Sequence, residues 1–81
     1  MKHYVVILNW ARDYEGATDV LGVTHTLQEA QAIFNEQLVQ ERQFAEQNGY
    51  DIDTDTDTMF DAGEMGYWCR DHITLYIQEV E

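Results

Sequence analysis

Residues 26–49, which read TLQEAQAIFNEQLVQERQFAEQNG, carry the strongest local structural signal in the chain. The segment opens with Thr26 and Glu29 at the spacing of a capping box, in which each side chain satisfies the other residue's backbone N–H. Apolar residues then recur at steps of three and four, while Gln, Glu and Arg fill most other positions. Asn48 and Gly49 favour the left-handed backbone conformation that commonly ends a helix. The pattern predicts one amphipathic helix from Leu27 to Asn48.

Two apolar segments before this helix predict a β-hairpin. Residues 3–10 (HYVVILNW) are rich in β-branched and aromatic residues on both alternating faces, which is typical of a central strand. Residues 13–16 supply a turn. Residues 18–25 then alternate, with Leu21 and Val23 on one side, as in a strand with one face in water.

The segments after the helix predict two more strands. Residues 50–58 contain clustered carboxylates and few apolar residues, which indicates an exposed loop or a polar edge. Residues 59–62 predict a brief strand, and residues 67–80 predict a long last strand. Because side chains alternate along a strand, we expect one inner face that packs on the helix. That face holds Cys69, Ile73, Leu75 and Ile77.

The order β-β-α-β-β predicts an α+β fold, with one helix packed on one face of a mostly antiparallel sheet of three to four strands. A chain of 81 residues fits a single small domain, residues 1–81. If the helix returns the chain to its starting end, the first and last strands lie parallel at the centre of the sheet. The strand order is then 2-1-4-3.

The charge balance restricts the classes of partner. Sixteen acidic residues against four basic ones give a net charge of -12. A surface this negative repels phosphates and anionic lipids, so we expect no direct nucleic acid binding and no membrane binding. The same charge suits a basic protein, including a nucleic-acid-binding protein whose site the chain would occupy as a mimic. Plain solubility is the simpler explanation of the charge.

The cysteine content and the first apolar segment predict a cytoplasmic protein. Cys69 is the only cysteine, so no disulfide forms within the chain, and a lone thiol fits a reducing compartment. The first apolar stretch of about seven residues is too short for a signal peptide or a membrane span.

The acidic segment matches in part the calcium loop of the EF-hand, which supplies carboxylates at alternate positions and a final glutamate. The candidate Ca²⁺ ligands are Asp53, Asp55, Asp57, Asp61 and Glu64. Thr58 stands where the sharp turn of that loop needs glycine. A solvated acidic loop is therefore the alternative, and we predict no cofactor other than this candidate Ca²⁺.

Two further chemistries are disfavoured. Cys69 and His72 have the spacing of a zinc half-site, but structural zinc needs a full tetrahedral set, and the other candidates are only His3 and His25. Residues three apart on a strand also point to opposite faces.

The chain has no glycine-rich phosphate loop and no serine. We therefore predict that the protein is not an enzyme.

The first strand is apolar on both faces, and one helix covers only one face of a sheet. We predict that the uncovered face is rich in aromatic residues and forms a protein interface. The predicted interface residues are Tyr4, Val6, Leu8, Trp10, Trp68 and Tyr76. The partner is either another protein or a second copy, which gives a homodimer. In the alternative, loops cover this face or its aromatic residues stay partly wet.

The sequence thus predicts a small non-catalytic protein-interaction module that acts through an aromatic sheet face and an acidic surface. A Ca²⁺-binding domain is the alternative.

Overall fold

The computed structural model describes residues 1–12, 15–64 and 71–81. These residues form one α-helix and five β-strands. The elements are β1 (His3–Arg12), β2 (Glu15–Thr24), α1 (Leu27–Gln47), β3 (Asp51–Asp55), β4 (Met59–Gly63) and β5 (His72–Val80). The α+β class is confirmed, with α1 packed on one face of an antiparallel sheet. The sheet has five strands, more than the three to four predicted.

The helix begins at the predicted residue and ends one residue before the predicted end, so that Asn48 is its C-cap. The backbone N–H of Glu29 donates to Thr26 Oγ1 at 3.2 Å, and the Thr26 hydroxyl donates to Glu29 Oε1 at 2.9 Å. At the other end, the Asn48 N–H donates to the carbonyl of Phe44 at 3.1 Å. Gly49 then takes a φ of 69°, the left-handed conformation that glycine adopts without a steric penalty. Capping at both ends therefore fixes the length of α1.

The strand order is β2-β1-β5-β4-β3, and every neighbouring pair is antiparallel. The first and last strands are neighbours, as predicted, but the predicted parallel pairing is wrong. The reason lies in residues 51–55, which form β3 at the sheet edge. This extra strand reverses the chain direction once more, so β5 runs opposite to β1.

The core lies between α1 and the middle of the sheet. Leu8 is paired with Leu75, and Val6 is paired with Ile77, so these four side chains point to the same side. Phe34 of α1 is fully buried against this side. The predicted inner face of the last strand is therefore confirmed for Ile73, Leu75 and Ile77, whereas Cys69 lies outside the described residues. The buried core residues are Val6, Leu8, Ala30, Phe34, Ala45, Phe60, Ala62, Ile73 and Leu75.

A β-bulge changes the faces of β2. The pairing register with β1 shifts between Val6 and Ile7, which leaves Leu21 as the extra residue on β2. Leu21 consequently packs against the core, whereas Val23 is 61% exposed on the other side of the sheet. The prediction that Leu21 and Val23 share one face is wrong for this reason.

Candidate protein-interaction face

We call the side of the sheet that faces away from α1 the open face. Directly paired residues on antiparallel strands point to the same side, so the register defines which residues share it. One apolar row crosses four strands: Val20, Ile7, Tyr76 and Met59. The pair Val5 and Val23 lies beside that row, and we call these six residues the apolar stripe. Val20 is 61% exposed, and the described residues contain no second helix that would cover it.

A polar row follows the apolar stripe along the strands. It consists of Thr18, Asn9, Thr74, Asp61 and Thr54. The Thr18 hydroxyl donates to Asn9 Oδ1, and Thr74 Oγ1 donates to Asp61 Oδ1 at 3.0 Å. These groups satisfy one another across neighbouring strands. The open face is therefore divided into an apolar part and an ordered polar part, both built on β-strands.

A shallow depression of about 250 Å³ lies at the polar end of the open face. Its lining residues are Asp53, Asp61, Ala62, Gly63, His72 and Thr74. Asp53 is the extra residue of a second bulge, because the register of β3 against β4 shifts between Ile52 and Thr54. The bulge therefore contributes a carboxylate to the wall of the depression.

Most of the predicted interface residues lie on the covered side of the sheet. Val6 and Leu8 are buried in the core, and Tyr4 and Trp10 pack against the same core beneath α1. Only Tyr76 lies on the open face among the predicted residues that the structure describes, since Trp68 falls outside the described ranges. The reason is the register, which places the even-numbered residues of β1 beside the inner face of β5. The odd-numbered Val5 and Ile7, which the prediction left aside, belong to the open face.

The predicted Ca²⁺ ligands are distributed over a β-hairpin. Asp53 and Asp61 line the depression, whereas Asp55 is bound by Arg42 of α1 through two hydrogen bonds of 2.6 and 2.8 Å. Asp57 lies in the turn between β3 and β4, and Glu64 follows β4. Within residues 1–12, 15–64 and 71–81, no group of three or more His, Cys, Asp or Glu side chains is arranged to hold a metal ion.

Arg42 determines the electrostatics of Asp55. Its hydrogen bonds are the main cause that lowers the pKa of the Asp55 carboxyl, and its positive charge adds to the effect. In return, the Asp55 carboxylate raises the pKa of the Arg42 guanidinium. Asp55 therefore links β3 to α1 on the covered side of the sheet.

The described basic side chains are all engaged within the chain. Arg42 is bound to Asp55, and Lys2 Nζ lies 3.3 Å from Glu79 Oε1. The guanidinium carbon of Arg12 lies 3.7 Å from the centre of the Phe44 ring, a cation–π contact. The chain has 16 acidic residues against four basic ones, so these contacts neutralise only a small part of its negative charge.

Comparison with protein-family models, curated protein sequences and solved structures finds no match to this chain. In the part of the chain that the structure describes, no helix has both the length and the apolar character that crossing a membrane requires.

Proposed function

We propose that the protein is a non-catalytic protein-interaction module that binds a basic protein through its open face. The observation that carries this proposal is the apolar stripe, which lies on β-strands and includes two valines that are 61% exposed. Exposed apolar residues that adjoin one another, with a polar rim, are typical of protein interaction sites. The lone thiol of Cys69 supports a cytoplasmic location for this activity.

The open face is large enough for a specific contact. With strands about 4.8 Å apart and a rise of about 3.4 Å per residue, the 39 residues of the five strands span a flat area of about 600 Å². A partner that covered this area would bring the total buried surface to about 1,200 Å², the lower end of the range of specific interfaces. The area therefore supports one protein partner of modest size or affinity.

The net negative charge of the chain favours a basic protein, rather than a second copy of the chain, as the partner. The chain carries a net charge of -12, and two copies would repel each other as they approached. A basic protein would instead be attracted, and the carboxylates of Asp53 and Asp61 would meet it at the polar end of the open face. A nucleic-acid-binding protein is one such partner, because its site attracts phosphates for the same reason. Duplex DNA would then compete with this chain.

Affinity capture with two matched variants tests the proposal. Val20→Lys places a charge in the apolar stripe, and Val39→Lys places the same charge on the exposed side of α1, where Val39 is 69% exposed. We expect the wild type and Val39→Lys to retain the same basic proteins from a cell extract at low salt. Val20→Lys should lose them, and added salt should release them from the wild type.

Two results would contradict the proposal. Equal retention by both variants would show that charge alone attracts the proteins, without the open face. Sedimentation that gives a wild-type dimer at micromolar concentration, and a monomer for Val20→Lys, would identify a second copy as the occupant of this face instead.

A further inference from the structure

At one end of the open face, two histidines from neighbouring strands lie side by side. His3 begins β1, and His25 directly follows the last residue of β2. Because Tyr4 is paired with Thr24, the next positions outward are His3 and His25. Their ring centres are 5.1 Å apart, and the rings are tilted by 53°. His25 is exposed and His3 is partly buried, so solvent ions reach the pair.

We propose that His3 and His25 form a two-imidazole site for a divalent transition-metal ion such as Zn²⁺. Neutral imidazole nitrogen is a preferred ligand of Zn²⁺, Cu²⁺ and Ni²⁺, whereas Ca²⁺ and Mg²⁺ prefer oxygen. This site is separate from the predicted Ca²⁺ ligands, which lie on β3, β4 and the residues that flank β4.

The distance between the rings fits one shared ion. With a metal–nitrogen bond of about 2.0 Å and a nitrogen about 1.2 Å from its ring centre, two imidazoles on a tetrahedral ion have centres about 5.2 Å apart. Adjacent ligands of a square-planar ion would bring the centres to about 4.5 Å. The observed 5.1 Å is within reach of one shared ion. The pairing of β1 with β2 places both side chains on the same side of the sheet, so small rotations of the rings suffice to direct one nitrogen of each at the ion.

The pair supplies two of the ligands, and water supplies the others. Among the described residues, no third His, Cys, Asp or Glu completes a cluster at this place. A site with two protein ligands binds more weakly than a closed structural site, and it keeps positions open for exchange. We therefore expect binding that is reversible and pH-dependent, because the imidazole nitrogens must be unprotonated to bind the ion.

Calorimetric titration of the full chain with ZnCl₂ in a non-chelating buffer tests the site. We expect one Zn²⁺ ion per chain at this site, release by EDTA, and no displacement of this Zn²⁺ by CaCl₂, because Ca²⁺ prefers oxygen ligands. His3→Asn and His25→Asn should each weaken binding by about tenfold or more, because each removes one of two protein ligands. His72→Asn is the matched control, since His72 lies at the other end of the open face. Cys69→Ala is the control for the thiol, and both controls should bind as the wild type does.

Circular dichroism establishes that each variant is folded. The ring-proton NMR signals give a second readout, and those of His3 and His25 should change on addition of Zn²⁺ while those of His72 stay in place. The proposal is overturned if Zn²⁺ does not bind at millimolar concentration, if the two histidine variants bind as the wild type does, or if His72→Asn or Cys69→Ala abolishes binding.

Discussion

Gly22 of β2 lies directly beneath the side chain of Ile33 from α1. A Cβ atom added at position 22 would lie 2.6 Å from Ile33 Cδ1, closer than two carbon atoms can pack. Gly22 is paired with Val6, so it faces the covered side of the sheet. The absence of a side chain at this position thus leaves room for the Ile33 side chain over β2.

Gly22→Ala should change the unfolding free energy by less than about 1 kcal/mol, because the atom in the way is the flexible end of the Ile33 side chain, and the cost of turning it aside offsets the gain from removing a glycine in a strand. The same substitution in an Ile33→Val background should be more favourable, because valine lacks the Cδ1 atom. Chemical denaturation of the four proteins measures this coupling. Equal changes of unfolding free energy in both backgrounds would show that the two positions are not coupled through this contact.

The ion pair between Arg42 and Asp55 makes stability depend on pH. Folding lowers the pKa of the Asp55 carboxyl below its ordinary value of 3.8, so the pair stabilises the fold above that pH. The contribution is lost as the pH falls through the lower pKa of the folded state. Asp55→Asn should therefore unfold more readily than Asp57→Asn at pH 6, and the two variants should converge in strong acid. A difference that stays constant between pH 6 and pH 2 would contradict this role.

Among the secondary-structure elements, α1 could be predicted from the sequence, whereas β3 could not. The capping box, the apolar spacing and the Asn48-Gly49 stop all agree, so the sequence alone predicts α1 within one residue. Residues 51–55 alternate Asp with Ile and Thr, and charges of this kind protect an edge strand from further pairing. The same charges make the segment look like a loop. The strand count and the direction of β5 could therefore not be predicted.

An uncovered face was predicted, but most of its residues were assigned wrongly because the sequence does not reveal strand register. Both faces of β1 are apolar, and only the pairing with β5 determines that Val6 and Leu8 lie under α1. The bulge at Leu21 then moves Val23 to the opposite face from the one expected. A one-residue shift exchanges the two faces of a strand, so the predicted interface residues of β1 lie on the covered side.

The cap of α1 gives a prediction at the same scale. Thr26→Ala removes the oxygen that accepts from the Glu29 N–H, and it should lower the unfolding free energy by about 1 kcal/mol. Gln28→Ala, in the same exposed first turn, is the control and should change little. Thermal unfolding of the two variants measures the effect. An equal effect of both substitutions would mean that α1 does not depend on this cap.

At the scale of the whole molecule, the fold separates two kinds of surface. The helix covers one side of the sheet and buries the core there, while the other side presents the apolar stripe. The net charge of -12 acts over the entire surface and disfavours contact between copies. We infer that attraction of a basic protein and specific contact with the open face are separate contributions to one binding event.

The most direct measurement is an NMR titration of the ¹⁵N-labelled chain with the most abundant basic protein from the capture experiment. The amide signals of Val5, Val20, Val23 and Met59 should shift at low salt and return as salt is added. Those of Val39 and its neighbours on the exposed side of α1 should stay in place. Shifts confined to α1, with the open-face signals unchanged, would contradict the proposal that the uncovered side of the sheet is the binding surface.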